Sequence, residues 1–180
     1  VAIALVDQLD LTYARAGVVS FSSEASTDSG LTSSHDQVHQ AIHDLSDGGL
    51  TNIVEALGHA NMVLDSYRTS AQGAGRAGAQ KVIWFLSDGQ QNSQYGGDRT
   101  AIEMANELHR QGVRIFTAGF GGVSVDTIEG MASQPTELHA YTGANLDAIR
   151  DRFSDFCTLV HSPSPPPSPR PPPPPAPPPP

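Results

Sequence analysis

The sequence predicts an α/β protein with an open, doubly wound, mostly parallel β-sheet, helices on both faces and an extended, disordered tail. Strand-like segments alternate along the chain with segments of helical periodicity. Two strand-like segments, KVIWFLS (81–87) and VRIFTAGFG (113–121), are nearly continuous apolar runs. Such runs are typical of strands buried on both faces of a parallel sheet.

The amino-terminal segments predict a helix followed by a strand. Val1, Leu5 and Leu9 recur at helical spacing and indicate a helix over residues 1–10. YARAGVVSFSS (13–23) ends in a β-branched and aromatic run, which predicts a strand. EASTDSGLTSS (24–34) is turn-rich, and we expect at most a short edge strand inside it.

Two further helices are predicted before the first loop. In SHDQVHQAIHDL (34–45), Ser34 is a candidate N-cap, and Val38, Ile42 and Leu45 form the expected core-facing stripe. TNIVEALGHANMVLDSYR (51–68) predicts a longer helix. Its apolar stripe comprises Ile53, Ala56, Leu57, Ala60, Val63 and Leu64.

The second half continues the alternation after a glycine-rich surface loop. The predicted segments are the loop 69–80, strand 81–87, helix 98–112, strand 113–121, helix 124–133, strand 137–143 and closing helix 144–156. Gly112 is the expected stop of the helix before the second apolar strand. Trp84 lies within the first apolar strand and is expected in the core.

The charge balance argues against nucleic acid as a partner. The formal net charge is −9, Lys81 is the only lysine, and Arg170 lies in the tail. The chain therefore offers no basic stripe that would neutralise phosphates. An acidic surface suits cation binding and also serves solubility alone. No apolar run is long enough to span a membrane.

Composition divides the chain into a domain over residues 1–160 and a proline-rich tail over 161–180. The tail contains fourteen of the fifteen prolines, and we expect an extended polyproline II rod rising roughly 3.1 Å per residue. Its SPPPSP pattern resembles the hydroxyproline-rich glycoproteins of plant and green-algal walls. A docking ligand for SH3, WW or profilin-type grooves and a plain linker are the alternatives.

Asp88 and Thr51 are the candidate metal ligands. Asp88 follows the apolar strand directly, and Gly89 permits a tight exit. Thr51 follows a short glycine-containing loop, Asp47-Gly48-Gly49, and begins a helix. Ligands of open α/β sheets bind at the carboxyl ends of the strands, and hydroxyl and carboxylate oxygens suit a hard divalent cation such as Mg²⁺.

Four motifs carry a family resemblance: RAGVVSFSS, GGLTNIVEAL, KVIWFLSDGQQN and GVRIFTAGFG. Their order and spacing resemble those of von Willebrand factor A domains. The resemblance covers nearly all of residues 1–160. The resemblance implies a Rossmann-like sheet bearing a metal-ion-dependent adhesion site. It assigns Thr51 to the second metal loop and Asp88 to the third, with Ser87 and Gly89 in support. The implied cation is Mg²⁺, or Mn²⁺ or Ca²⁺.

One part of the family pattern is missing from the sequence. The first strand of the family, which is normally central to the sheet, is missing, and so is the Asp-x-Ser-x-Ser loop that follows it. SFSSEAS follows what would be the second strand of the family and does not replace that loop. We therefore expect an amino-terminally truncated domain with half of the metal site, which is marginally stable or aggregates because sheet edges are exposed. The only cysteine, Cys157, is either a buried thiol or, as the resemblance implies, half of a disulfide joining the domain ends.

The candidate residues also have structural interpretations. Asp88 could serve a turn, Thr51 could be an N-cap, and Ser87 is not expected to be a nucleophile. His35, His39 and His43 recur at a spacing that can hold zinc, but a solvated or half-buried helix face is the preferred interpretation. Three acidic residues are assigned to helix surface: Asp98, Glu103 and Glu107.

The leading functional hypothesis is an extracellular adhesion or matrix module that binds a protein partner offering an acidic group, without catalysis. Wall or matrix glycoproteins are candidate partners of the tail. One alternative is a metal-independent structural wall component. Another is an intracellular von Willebrand factor A module serving a chelatase, ATPase or trafficking complex. A hydrolase built on Asp88 is the least favoured, because no second catalytic group accompanies it.

Overall fold

A computed structural model of the chain describes residues 2–69 and 78–142. Several predicted features lie outside these residues: most of the loop 69–80, the closing helix 144–156, Cys157 and the proline-rich tail. The boundary between the domain and the tail therefore stays a prediction. No helix within the described ranges is long and apolar enough to cross a membrane.

The helices and strands follow the order that the sequence predicts. The elements are α1 (Ala2–Val6), β1 (Ala16–Phe21), β2 (Ala25–Thr32), α2 (His35–His43), α3 (Ile53–Thr69), β3 (Lys81–Ser87), a 3₁₀ turn (Ser93–Tyr95), α4 (Gly97–Arg110), β4 (Val113–Gly119), α5 (Val125–Met131), α6 (Thr136–His139) and β5 (Ala140–Thr142). The α/β class is confirmed.

The described strands form two hydrogen-bonded sheets. β3, β4 and β5 form a parallel sheet in the order β3-β4-β5, and the β3/β4 register runs from Lys81↔Val113 to Ser87↔Gly119. β1 and β2 form an antiparallel pair with irregular register near Val18. Because both apolar strands lie in the parallel sheet, the sequence signal for parallel pairing is confirmed.

Alternate side chains of β3 contribute to cores on opposite faces of the parallel sheet, as the pleat requires. Ile83 and Phe85 pack into the larger core, which α3, α4 and α5 cover. Trp84 and Leu86 pack on the other face, where Leu5 of α1 is buried. Helices therefore flank this sheet on both sides.

Trp84 is half-buried, which is less than the sequence predicts for a core residue. Its ring stacks on Phe116, with centroids 4.5 Å apart, and on Tyr141, with centroids 6.2 Å apart. The aromatic row crosses all three parallel strands, so Trp84 joins the strands to one another.

The predicted cap of α2 is found, but its buried stripe differs from the expected one. The hydroxyl of Ser34 accepts a hydrogen bond from the backbone N–H of Gln37 at 3.3 Å. Val38 and Ala41 are buried, Ile42 is half-buried, and Leu45 is 42% exposed. Leu45 lies beyond the helix end, so helical spacing no longer carries it to the core.

Three other elements depart from their predicted extents. α1 is a single five-residue helix rather than the body of a helix over residues 1–10. β2 is eight residues long because pairing with β1 outweighs its turn-forming composition. The predicted strand 137–143 begins as a helical turn, which buries His139 against Phe116 with ring centroids 4.6 Å apart.

Lys81 fixes the start of β3 to α3. Its Nζ lies 2.6 Å from Oδ1 of Asp65, and only 11% of the lysine side chain is exposed. Burial of the lysine stem makes this pair less accessible to solvent screening than a pair between fully exposed side chains.

Candidate metal-binding site at the carboxyl ends of the strands

The loop after β3 presents Asp88 to solvent. β3 ends at Ser87, and the next residue, Asp88, is exposed. The Ser87 hydroxyl accepts a hydrogen bond from the N–H of Gly89 at 3.2 Å and donates to the Gly89 carbonyl at 3.1 Å. Ser87 thus closes the turn that carries Asp88.

Thr51 lies against this loop. The Thr51 N–H donates to Oδ1 of Asn92 at 2.7 Å, and the Asn92 N–H donates to the Thr51 carbonyl at 3.0 Å. A Cβ added to Gly89 would stand 2.7 Å from Oγ1 of Thr51, so only glycine allows this approach. The structure therefore places the Thr51 hydroxyl beside the residue that follows Asp88.

The N-cap position of α3 belongs to Asn52 and not to Thr51. The Asn52 Oδ1 accepts a hydrogen bond from the N–H of Glu55 at 3.3 Å, and its Nδ2 donates to Oε2 of Glu55 at 2.8 Å. The alternative role considered for Thr51, a helix cap, is thereby filled by its neighbour.

Buried Gln91 secures the first turn of α3 from the side of the Asp88 loop. Its Oε1 accepts a hydrogen bond from the N–H of Ile53 at 2.5 Å, and its Nε2 donates to the carbonyl of Tyr95 at 3.0 Å. One amide side chain thus joins the helix to the 3₁₀ turn and satisfies an N–H that has no partner within the helix.

The serines after β1 hold the loop that precedes Thr51. The Ser22 carbonyl accepts a hydrogen bond from the Asn52 N–H at 2.9 Å, and the Ser23 hydroxyl accepts one from the Leu50 N–H at 3.2 Å. Gly49 has a φ of +85° and packs against Ser22. These serines therefore position the loop that leads to Thr51.

The exit of β4 borders the same site. The Phe120 N–H donates to the Ser87 carbonyl at 2.9 Å, and a Cβ on Gly121 would stand 3.8 Å from the Asp88 carbonyl. Loops that follow β1, β3 and β4 therefore meet Thr51 at one edge, as the general rule for open α/β sheets predicts.

The donor set fits a hard divalent cation only in part. Thr51 and Asp88 offer a hydroxyl and a carboxylate, whereas Mg²⁺ takes about six oxygen ligands and keeps several waters. Across residues 2–69 and 78–142, no group of three or more His, Cys, Asp and Glu side chains could hold a metal ion. The remaining ligands would have to be waters or atoms outside the described residues.

Sequence reasoning missed the residues that support this site. Asn52, Gln91 and Asn92 were given no role, although each uses its amide to bind backbone at a loop or helix end. Amides that follow an Asp-Gly turn or immediately precede a helix are a usable sequence signal for such capping.

A family model of the von Willebrand factor type A (VWA) domain matches residues 1–155 of the chain. The chain belongs to the VWA family. The family prediction is confirmed, and the Rossmann-like fold predicted for this VWA domain is confirmed with it.

Solved structures similar to this VWA domain show the same fold. Proximal thread matrix protein 1 from the mussel byssus was solved with zinc in its metal-ion-dependent adhesion site (MIDAS) motif. It has a TM-score of 0.65 and 24% identity over 86% of this chain. Our chain covers 38% of the length of that protein.

Two further similar structures come from a bacterium and a parasite. The vWF domain of the pilus tip protein Mfa5 from Porphyromonas gingivalis has a TM-score of 0.69 and 14% identity, covering 88% of this chain and 85% of its own. Manganese-loaded TRAP protein from Plasmodium vivax has a TM-score of 0.64 and 18% identity, and the match covers 86% of this chain and 63% of the TRAP chain.

Proposed function

We propose that this VWA domain is an extracellular, non-enzymatic protein-binding module in which Thr51 and Asp88 contribute to a divalent-cation site. The observation that carries the proposal is the contact between Gly89 and the Thr51 hydroxyl, because it brings the hydroxyl to the turn that presents Asp88. Water molecules would occupy the remaining coordination positions, because Mg²⁺ keeps several waters when it binds to proteins.

Within the site, the chain's own residues orient the oxygens. Asn92 fixes the backbone of Thr51 from two directions, and Ser87 closes the Asp88 turn on a buried parallel strand. When bound, Mg²⁺, Mn²⁺ or Ca²⁺ would offer an open coordination position to an acidic group of a protein partner. The proposed activity is recognition without turnover.

Related structures support the metal and the location. Proximal thread matrix protein 1 was solved with zinc in its MIDAS motif, and TRAP was solved with manganese. A matrix protein and a pilus tip protein share the fold, which supports an extracellular site of action. The tail composition supports a wall or matrix setting, with matrix glycoproteins as its proposed partners.

Titration of the chain with Mn²⁺ by calorimetry tests the proposal. We expect saturable binding that Asp88→Asn abolishes and Thr51→Val weakens, because each variant removes one oxygen ligand. Glu103→Gln, which removes one exposed charge in the middle of α4, is the matched control and should bind as the unaltered chain does. Absence of saturable binding in a chain whose circular dichroism shows a folded domain would overturn the proposal.

A metal-independent structural role in a matrix is the second candidate. It is favoured by the limited donor set, since no cluster of three metal-binding side chains of the His, Cys, Asp or Glu type occurs in the described residues. The two candidates differ in their response to chelation. If the chain associates with matrix partners equally well with EDTA and in Asp88→Asn, that result would support the structural role.

A further inference from the structure

A groove of about 580 Å³ runs between α3 and α4, beside the 3₁₀ turn. Val54, Gly58 and Met62 of α3 line one side, and Tyr95 and Met104 line the other. The lining is mainly apolar, although the groove lies at the surface. This surface is distinct from the contact between Thr51 and Gly89.

The helical spacing of the α3 residues makes the groove an elongated channel. Residues 54, 58 and 62 are four apart and therefore lie in a row along one helix face. No atom lies within 4 Å of a Cβ added at Gly58, so the middle of the row is open. Met62 is 57% exposed, which leaves a large, adaptable apolar side chain at one end.

We infer that this groove binds residues 162–180 of the chain's own proline-rich tail. Polyproline II segments dock on apolar surfaces that contain aromatic side chains, because their preformed conformation loses little entropy on binding. Tyr95 supplies the aromatic ring and Met104 an apolar wall. Proline lacks an N–H and presents carbonyl acceptors, to which the Tyr95 hydroxyl can donate.

Charge complementarity gives the tail a direction and an anchor. Arg170 is the only arginine or lysine in the tail, and among the described residues that line the groove Glu55 is the only carboxylate. Glu55 accepts one hydrogen bond, from Asn52 at 2.8 Å, and a carboxylate has further lone pairs for a guanidinium. With Arg170 at Glu55, the proline run that follows it, residues 171–175, would extend toward Met62.

The intervening chain is long enough for this contact. Residues 143–161 separate β5 from the segment 162–180. Nineteen residues reach about 60 Å when extended, and about 40 Å if residues 144–156 are helical as predicted. A domain of this size has a radius of gyration of about 15 Å and a diameter of about 40 Å, so the shorter length equals the diameter of the domain and the longer one exceeds it.

The three methionines of the chain provide the test. Met62 and Met104 line the groove, whereas Met131 is fully buried in the core. We would label the methionine methyl groups with ¹³C in the full chain and attach a nitroxide at Ala176→Cys in a Cys157→Ser background. The expected result is strong broadening of the Met62 and Met104 signals and weaker broadening of Met131, relative to the reduced label.

Two variants make the result specific. Gly58→Leu fills the groove and should restore the Met62 and Met104 signals, and Arg170→Glu should weaken the broadening. Gly30→Leu, at another position where an added Cβ meets no atom within 4 Å, is the matched control and should leave the broadening unchanged.

Three outcomes would overturn the inference. The first is equal or absent broadening of all three methyl groups, and the second is broadening that persists in Gly58→Leu. The third is equally strong broadening in a mixture of ¹³C-labelled chains and separate nitroxide-labelled chains, because the occupant would then be the tail of a second copy.

Discussion

Gly89 sets how closely the Asp88 turn approaches Thr51. In Gly89→Ala, the new Cβ would stand 2.7 Å from Oγ1 of Thr51, so one of the two loops must move. We expect the free energy of unfolding to fall by about 1–3 kcal/mol, as for other overpacked sites, and any Mn²⁺ affinity to fall with it. Urea denaturation followed by circular dichroism measures the first effect.

Gly122→Ala is the control for this substitution. Gly122 lies in the loop after β4, and an added Cβ there meets no atom within 4 Å. Its unfolding midpoint should match that of the unaltered chain. Equal midpoints for the two alanine variants would show that the contact between Gly89 and Thr51 does not constrain the loops.

Gln91 and Gln90 are neighbours, but only replacement of Gln91 by alanine should lower the stability of the domain substantially. Gln91 is 5% exposed and satisfies the N–H of Ile53, so Gln91→Ala leaves a buried donor without its partner. We expect a loss of about 1–3 kcal/mol in the free energy of unfolding. Gln90 is exposed, and Gln90→Ala should change stability by less than about 0.5 kcal/mol. Similar losses in both variants would contradict the capping role.

Within α3, Gly58 is a position where alanine should make the helix more stable. An added Cβ meets no atom within 4 Å, and alanine has the higher helix propensity. Gly58→Ala should therefore raise the free energy of unfolding by about 0.5–1 kcal/mol, measured by urea denaturation.

In β4, replacement of a glycine by alanine should instead lower the free energy of unfolding. At Gly119 an added Cβ would stand 2.5 Å from Val123 and 2.9 Å from Ile128, so Gly119→Ala overpacks the strand exit. Stabilisation by Gly119→Ala would show that this part of the core is loosely packed. Destabilisation by Gly58→Ala would show that the groove side of α3 makes contacts beyond those described.

Strong local signals accounted for the elements that sequence reasoning placed correctly. The apolar runs that became β3 and β4 are long and bounded by glycine, and Ser34 is a cap with a helical stripe behind it. Elements whose form depends on distant partners were placed less well. β2 pairs with the distant β1 along its length, and His139 packs on Phe116 of β4 from a helical turn.

The candidate site shows the same division. Strand ends and a glycine indicated Asp88 and Thr51, because chain direction and position in an α/β sheet can be inferred from one sequence. The hydrogen bonds around them, which Asn92 accepts from Thr51 and Gln91 accepts from Ile53, join residues about forty positions apart. Pairing at that distance along the chain depends on how the loops meet, which periodicity does not describe.

Stability of the whole domain should depend on pH through His109. Burial lowers the pKa of His109 from its ordinary value of 6.5, and the charge of nearby His139 lowers it further. Its Nε2 is buried and makes no hydrogen bond within the described residues. Below pH 6.5 the unfolded chain therefore binds a proton more readily than the folded chain, and stability falls as pH falls.

Urea midpoints at about pH 7 and about pH 5 measure this dependence. We expect His109→Gln to lose less stability over that interval than the unaltered chain. His43→Gln removes a histidine whose side chain is 83% exposed and serves as the control. Hydrogen bonding with Arg110 lowers the pKa of Glu107 below 4.5, so stability linked to Glu107 is lost only at more acidic pH. Equal slopes for the unaltered chain and His109→Gln would contradict the role of His109.

The pairing of Lys81 with Asp65 has a consequence for how the protein can be joined to other molecules. The sequence contains one side-chain amine, and that amine is largely covered and held by a carboxylate. Amine-directed coupling reagents and amine-based cross-links therefore find almost no reactive side chain here. If copies of this domain are covalently linked in a network, the bonds must form through other chemistry, for which the exposed carboxylates and hydroxyls are the more numerous candidates.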